Sequence, residues 1–349
     1  MIIATHRPRI AAVGTAFPPN VVDREAAIGA LCTLFPDEDA AKVRTLVENS
    51  GVESRAIVPT LDDVFARSTF TRRNAAYHDA AAELAARACR AAIDGAGVGP
   101  GDVDVLIDVS CTGIAIPALD ASIAPRLGLR ADVRRLPITE AGCSGGALAL
   151  SVAAGLARAG ERVLVVAVEL CSLSLVGEDA SRTNLVASLL FGDGAAAALV
   201  VPGGDGPRVE ATRSHLLPET REVMGFDVGT HGLRIVLDRG LPAIVAEALP
   251  EVIEDFLDDQ GRSIGDLALH LVHPGGRRIL DAYERRFQLA PEDLRFSRRV
   301  LAEHGNLSSA SILAVLGLAL GERHARPAEG LLVAIGPGLT FELALLRWD

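Results

Sequence analysis

Short runs of consecutive apolar residues alternate along the chain with longer stretches rich in alanine. The apolar runs predict strands at 9–16, 103–110 (VDVLIDVS), 162–169 (RVLVVAVE), 195–201 (AAAALVV), 267–273 (LALHLVH) and 330–335 (GLLVAI). The longer stretches predict helices at 75–96, 143–159, 241–258, 277–286 and 308–321. Strands that are apolar on both faces belong in a sheet covered on both sides, and their alternation with helices marks an α/β architecture. The segment PGGDGP at 202–207 is the strongest break and divides the chain into two parts, 1–201 and 208–349.

The two parts echo each other. AGCSGGALAL (141–150) and HGNLSSASIL (304–313) each set a polar residue after a glycine, then small residues, then an apolar helix. Cys143 occupies that point in the first part and Asn306 in the second. One reactive residue at each helix start is the organisation of a duplicated, pseudo-symmetric fold.

Composition narrows the function. The 349 residues are 49 % hydrophobic and 23 % charged, enough to bury a large core and too apolar for disorder. A net charge of −11 excludes a general nucleic-acid binder, although a small local phosphate site is compatible with it. No charge-free apolar stretch of about 18 residues marks a membrane span. The first residues, interrupted by Arg7, Pro8 and Arg9, lack the long apolar region of a signal peptide, so a cytoplasmic enzyme is expected. Five scattered cysteines (Cys32, Cys89, Cys111, Cys143, Cys171) form no CxxC pair and no metal-ligand spacing with histidine. Reduced thiols and no metal are expected.

A thiol at a helix N-terminus feels the positive end of the helix dipole, which favours thiolate. Cys143 holds that position, and Ser144, Gly145 and Gly146 behind it let backbone N–H groups approach a reacting carbonyl. Read locally, a small buried side chain explains Cys143 equally well, and it is the better explanation for Cys32 and Cys89. His273 ends an apolar strand and runs straight into Pro274-Gly275-Gly276, the strand end where open α/β sheets place their sites. An ordinary turn histidine is the alternative there. His270, an odd number of residues away, faces the other side of the strand and is structural. His304 reads as a surface side chain. Asn306 alone would be a plain helix N-cap. Together, Cys, His and Asn at three element ends supply a nucleophile, its base or cation, and a neutral oxyanion donor.

The segments AGCSGG, LVHPGG, EHGNLSS, LFGDGAAAALV (190–200) and AIGPGLTFEL (334–343) resemble the signatures of type III polyketide synthases, the chalcone-synthase-like family. Histidine followed by Pro-Gly-Gly separates this chain from the β-ketoacyl-carrier-protein synthase III branch, where that histidine typically precedes Gln-Ala-Asn. The resemblance implies a thiolase-like fold of two pseudo-symmetric α/β halves in αβαβα layers, working as a homodimer. It implies that Cys143 carries the acyl chain as a thioester. His273 then pairs with the thiolate and, with Asn306, binds the malonyl carbonyl and stabilises the enolate. Substrates would be malonyl-CoA and an acyl-CoA starter, with no cofactor.

Phe191 matches the family's gatekeeper phenylalanine, and Ile235 stands where the second gatekeeper is aromatic. The cavity is expected to include Cys111, Thr112, Cys171, Ser174, Phe226, Ile235 and Ser308. VELCSL (168–173) and 223–242 look most like alkylresorcinol and alkylpyrone synthases, which implies a fatty acyl starter in a tunnel past the small side chains of Cys171 and Ser174. For the CoA phosphates, Lys42 matches one basic position, while two others fall on Thr45 and Asn49. Arg44, Arg277 and Arg278 either compensate or are solvated surface charges. The competing readings are a single-condensation β-ketoacyl synthase III-like acyltransferase and an inactive thiolase-fold scaffold.

Overall fold

The computed structural model describes residues 6–65, 69–174, 179, 181–229 and 232–349. Its strands are β1 (Arg9–Ala16), β2 (Asn20–Asp23), β3 (Ser54–Ile57), β4 (Val105–Ser110), β5 (Arg134–Thr139), β6 (Val163–Leu170) and β7 (Asp193–Val201) in the first part. In the second they are β8 (Arg208–Leu216), β9 (Met224–Gly229), β10 (Gly232–Leu237), β11 (Leu269–Val272), β12 (Ala328–Gly336) and β13 (Thr340–Trp348). Helices α1 (Arg24–Leu34), α2 (Ala40–Asn49), α3 (Leu61–Phe65), α4 (Phe70–Ala96), α5 (Asp120–Leu127), α6 (Gly145–Arg158) and α7 (Arg182–Leu190) precede the break. After it come α8 (Leu241–Asp259), α9 (Arg277–Phe287), α10 (Arg295–His304) and α11 (Ala310–Leu320).

The duplication read from the sequence is a duplication of topology. Strands β5-β4-β6-β7-β1 form one half-sheet and β11-β12-β13-β8 the other, joined edge to edge through the single pair Arg9 and Arg208. In each half two neighbouring strands are parallel (β4 with β6, β11 with β12), and the last strand runs antiparallel between its neighbours. Only β5 lacks a counterpart.

Period-two alternation then sorts side chains into layers. Leu106, Leu164, Val166 and Leu199 face Ala81, Ala85, Ala88 and Ala92 of α4. This helix is capped by the Thr69 side chain and stopped by Gly97 in the left-handed conformation. The opposite faces of those strands, through Val105, Ile107, Val109 and Val165, pack on Leu150, Ala153 and Ala154 of α6 and on Ile312, Leu313 and Leu316 of α11. Leu332, Ala334, Ala344 and Leu346 close the same central layer from the second half-sheet. Leu331, Val333, Leu343 and Leu345 meet Val245, Leu249 and Ile253 of α8 on its far side. The order of layers is αβαβα. Because α6 and α11 lie between two sheets, α11 is apolar almost all round, as a helix buried on every side must be.

Candidate active site

Cys143 lies in a single 3-10 turn, Gly142–Ser144, just ahead of α6, so the helix begins two residues later than the sequence predicts. Asn306 likewise precedes α11 by four residues. Its backbone takes part in a bridge: the N–H donates to Leu190 O (2.8 Å), and its carbonyl accepts from Gly192 N (3.0 Å). A side chain at Gly192 would place its Cβ 2.2 Å from the His304 carbonyl, so glycine is what lets this strand carry Phe191 against Asn306. The Asn306 Oδ1 accepts from Ser308 N (2.8 Å) and Ser311 Oγ (3.3 Å), which fixes the amide in a local turn; the N-cap position of α11 itself falls on Ser309, so Asn306 is not the helix cap. Its Nδ2 reaches the Gly275 carbonyl at 3.5 Å, tying it to the loop behind His273.

His273 follows β11 directly, held by its N–H to Val333 O (2.8 Å) and by a Gly275 N–H to its own carbonyl (2.9 Å). The ring is buried and its Nδ1 has no hydrogen-bond partner. Burial holds its pKa down at about 4. The Cys143 thiol donates to Ser308 Oγ at 3.6 Å. Burial pushes its pKa up to about 11; the Ser308 hydroxyl and the Asn306 amide pull against that, and nearby Glu169 adds to it. Both shifts favour the neutral forms, a thiol beside an uncharged imidazole, over the expected pairing of His273 with a thiolate. Desolvation disfavours both charged forms, and no hydrogen bond joins the ring to Sγ among the described residues.

Burial raises Cys89, Cys111 and Cys171 as well, and of the four Cys143 alone also has the Asn306 amide opposing the rise. Cys32 packs with Ile28, Leu31 and Val43, away from the site. His270 turns away from the site to bond Tyr283 OH through Nδ1 (3.2 Å), as strand alternation requires. His304 is not a free surface side chain: its ring stacks on Phe17 with centroids 3.9 Å apart.

A cavity of about 390 Å³ opens in front of Cys143, and all eight residues assigned to it from the sequence line it: Cys111, Thr112, Cys171, Ser174, Phe191, Phe226, Ile235 and Ser308. One wall is the β9–β10 hairpin. Phe226 sits opposite Ile235, Val228 opposite Leu233 and Met224 opposite Leu237, so one face of the hairpin presents apolar side chains to the cavity. Met224, Val228, Leu233 and Leu237 were not assigned to it from the sequence, although their alternation is readable in 224–237.

The sequence reading also missed Glu169, at the end of β6. It is fully buried and accepts from Cys111 N (3.1 Å), Thr112 Oγ1 (2.8 Å), Ser309 Oγ and Cys111 Sγ (3.4 Å). The clue was one acid at the end of an otherwise apolar strand. The expected passage beyond Ser174 adjoins residues 175–178, which lie outside the described residues. The gap bounded by Phe70, Arg73, Asn74, Leu173 and Leu233 has no room for a water molecule.

The four basic residues proposed for CoA divide. Arg44 is engaged by Glu25 through two hydrogen bonds (2.9 and 3.0 Å) and lies 3.8 Å from Glu48. Arg277 opens α9 beside Gly51, just past the end of α2, with Asp281 at 3.5 Å. Lys42 and Arg278 are exposed and make no ion pair among the described residues. Among those residues no cluster of His, Cys, Asp and Glu could hold a metal, and no helix is long and apolar enough to cross a membrane.

Two family descriptions match the chain: "Chalcone and stilbene synthases, N-terminal domain" over residues 3–206 and the corresponding C-terminal domain over 208–348. The chain belongs to the type III polyketide synthases. It is 40 % identical to a 1,3,6,8-tetrahydroxynaphthalene synthase of Streptomyces peucetius subsp. caesius, over 97 % of this chain and 93 % of the relative. It is 30 % identical to a phloroglucinol synthase of Pseudomonas fluorescens, over 95 % of this chain and 97 % of that one. The crystal structure of the 1,3,6,8-tetrahydroxynaphthalene synthase of Streptomyces coelicolor superposes with a TM-score of 0.93 at 33 % identity, covering 98 % of this chain and 99 % of the other. As a type III polyketide synthase this protein is an acyltransferase that works on CoA thioesters, and its layered halves are the thiolase-like fold.

Proposed function

We propose that this enzyme extends a neutral aliphatic acyl starter with malonyl units, releasing an alkylpyrone or alkylresorcinol type product, with Cys143, His273 and Asn306 as its chemical centre. The observation that carries this reading is the shared cavity, in which the Cys143 thiol faces an apolar hairpin wall. At about 390 Å³ it sits at the small end of small-molecule sites, roughly 300–1,000 Å³, and favours starters of modest length.

Cys143 takes the acyl group from CoA: the thiolate attacks the thioester carbonyl, the C–S bond to CoA breaks, and CoA leaves as the thiol. The malonyl thioester carbonyl then accepts hydrogen bonds from the His273 ring and the Asn306 Nδ2. A neutral imidazole suits this step, since it keeps one N–H as a donor, and the ring's Nδ1 has no partner among the described residues. Loss of carbon dioxide leaves an enolate on that oxygen. Its carbon attacks the Cys143 thioester, the C–S bond breaks, and the lengthened chain returns from CoA to Cys143 for another round. Phe191, fixed beside Asn306, stands where the chain enters the cavity.

Lys42, Arg277 and Arg278 are our choice for the CoA phosphates, and Arg44, already engaged, is not. We further propose a homodimer formed at β5. This strand is an edge of the sheet, bonded on one side to β4, it is largely exposed, and it carries the exposed apolar side chain of Leu136.

A second reading, a compact polyhydroxylated aromatic built from malonyl units alone, draws support from relatives named for tetrahydroxynaphthalene and phloroglucinol. Mass spectrometry of products from malonyl-CoA with and without octanoyl-CoA separates the two. Octanoyl-primed pyrones or resorcinols support the first. An unprimed aromatic formed equally well in both reactions overturns it.

A further inference from the structure

Among the described residues the cavity is lined by apolar, hydroxyl and thiol side chains and by two charged ones, Arg221 and Glu140. Arg221 is 93 % exposed at the rim and has a counter-charge in Glu222 at 3.9 Å. Glu140 differs on three counts. It lies three residues before Cys143, on the loop that delivers the nucleophile. Its backbone is in the left-handed region, at φ 58°, a conformation that glycine adopts freely and glutamate does not. Its carboxylate is held by the hydroxyl of Thr139 and forms no ion pair among the described residues. Strain of this kind persists where a side chain is needed in place. The consequence here is a negative charge, without a counter-ion, on the wall that the acyl chain must occupy.

We infer that Glu140 selects the starter by charge, admitting neutral acyl groups and rejecting those that end in a carboxylate. The inference rests on reading this cavity as the acyl-chain site. Glu140 is exposed and partly screened by water, so two like charges a few ångströms apart there, worth about 1 kcal/mol, change binding severalfold. A hydrocarbon starter meets no such barrier. Malonyl-CoA then serves as extender, losing its carboxylate at His273 and Asn306 before its two carbons join the chain.

The test is the rate at which Cys143 is acylated by hexanoyl-CoA and by glutaryl-CoA, starters of similar length, read by intact-protein mass spectrometry. The parent should load hexanoyl severalfold faster. Glu140→Gln should remove most of that difference, and Glu140→Lys should reverse or further narrow it, both by faster glutaryl loading. Glu140→Gly, at ease in the left-handed conformation, should match Glu140→Gln and guards against a misfolded variant. The proposal fails if the parent loads both starters equally or if the ratio is the same in every variant, while the functional reading stands. Should Cys143 accept neither starter, the functional reading itself is overturned, and this inference with it.

Discussion

Replacing Gly146 by alanine tests the packing that holds the two halves of the site together. The added Cβ would lie 2.3 Å from the Ser309 carbonyl oxygen, a backbone atom at the start of α11, whereas ordinary contact begins at 3.4 Å. The two helix starts must separate by about 1 Å, the difference of those distances. Overpacking of this kind costs about 1–3 kcal/mol of stability. The same movement draws Ser308 away from the Cys143 thiol it now contacts at 3.6 Å. A misplacement of about 1 Å at reacting groups costs on the order of a hundredfold in rate. Gly155, in the same helix with nothing near its Cβ position, is the control: alanine there should be neutral or stabilise by up to about 1 kcal/mol. Malonyl-CoA turnover and thermal unfolding of both variants provide the measurement. Parental turnover in Gly146→Ala, or matching behaviour of the two variants, would refute the reasoning.

Three further outcomes are expected. Because burial holds the Cys143 pKa near 11, its alkylation by iodoacetamide should climb about tenfold per pH unit from pH 7 to 10; a plateau near pH 8 would contradict the burial argument. His270 is held neutral, its pKa lowered from 6.5 to about 4, so its stabilising share is present above pH 6.5 and is lost as pH falls toward 4. The parent's advantage in denaturant unfolding over His270→Gln should accordingly shrink by about 3 kcal/mol between pH 7 and pH 4, and a constant difference would disprove the assignment. Arg278→Ala should raise the KM for malonyl-CoA severalfold while Arg44→Ala leaves it near the parental value; the reverse order would return Arg44 to the CoA site.

The sequence displayed what local pattern determines. The buried strands β4, β6, β7, β11 and β12 stand out as apolar runs, and the glycine-rich approaches to Cys143, His273 and Asn306 mark element ends. Strand β5 was hidden because an exposed edge, RRLPIT, carries no apolar run. The β9–β10 hairpin, with one wet face, shows as alternation and not as an apolar run, so a reading by apolar runs passes over it. The pull toward neutral forms at Cys143 and His273 was hidden for a different reason. It depends on desolvation by elements far apart in the chain, and a motif records the residues but not the dielectric around them. The narrow gap beside Ser174 is similar, since Phe70 and Arg73 come from a helix a hundred residues earlier.

The central claim, an acyl chain grown stepwise on Cys143, is tested most directly by quenching the enzyme during turnover. Octanoyl-CoA and malonyl-CoA are mixed with it, the reaction is stopped in acid, and the peptide containing Cys143 is weighed by mass spectrometry. The account predicts octanoyl on Cys143 followed by a ladder of two-carbon ketide additions on that same residue, absent from Cys143→Ala. A ladder on another residue, or a Cys143 that carries the starter through a single condensation and never an extended chain, would contradict it.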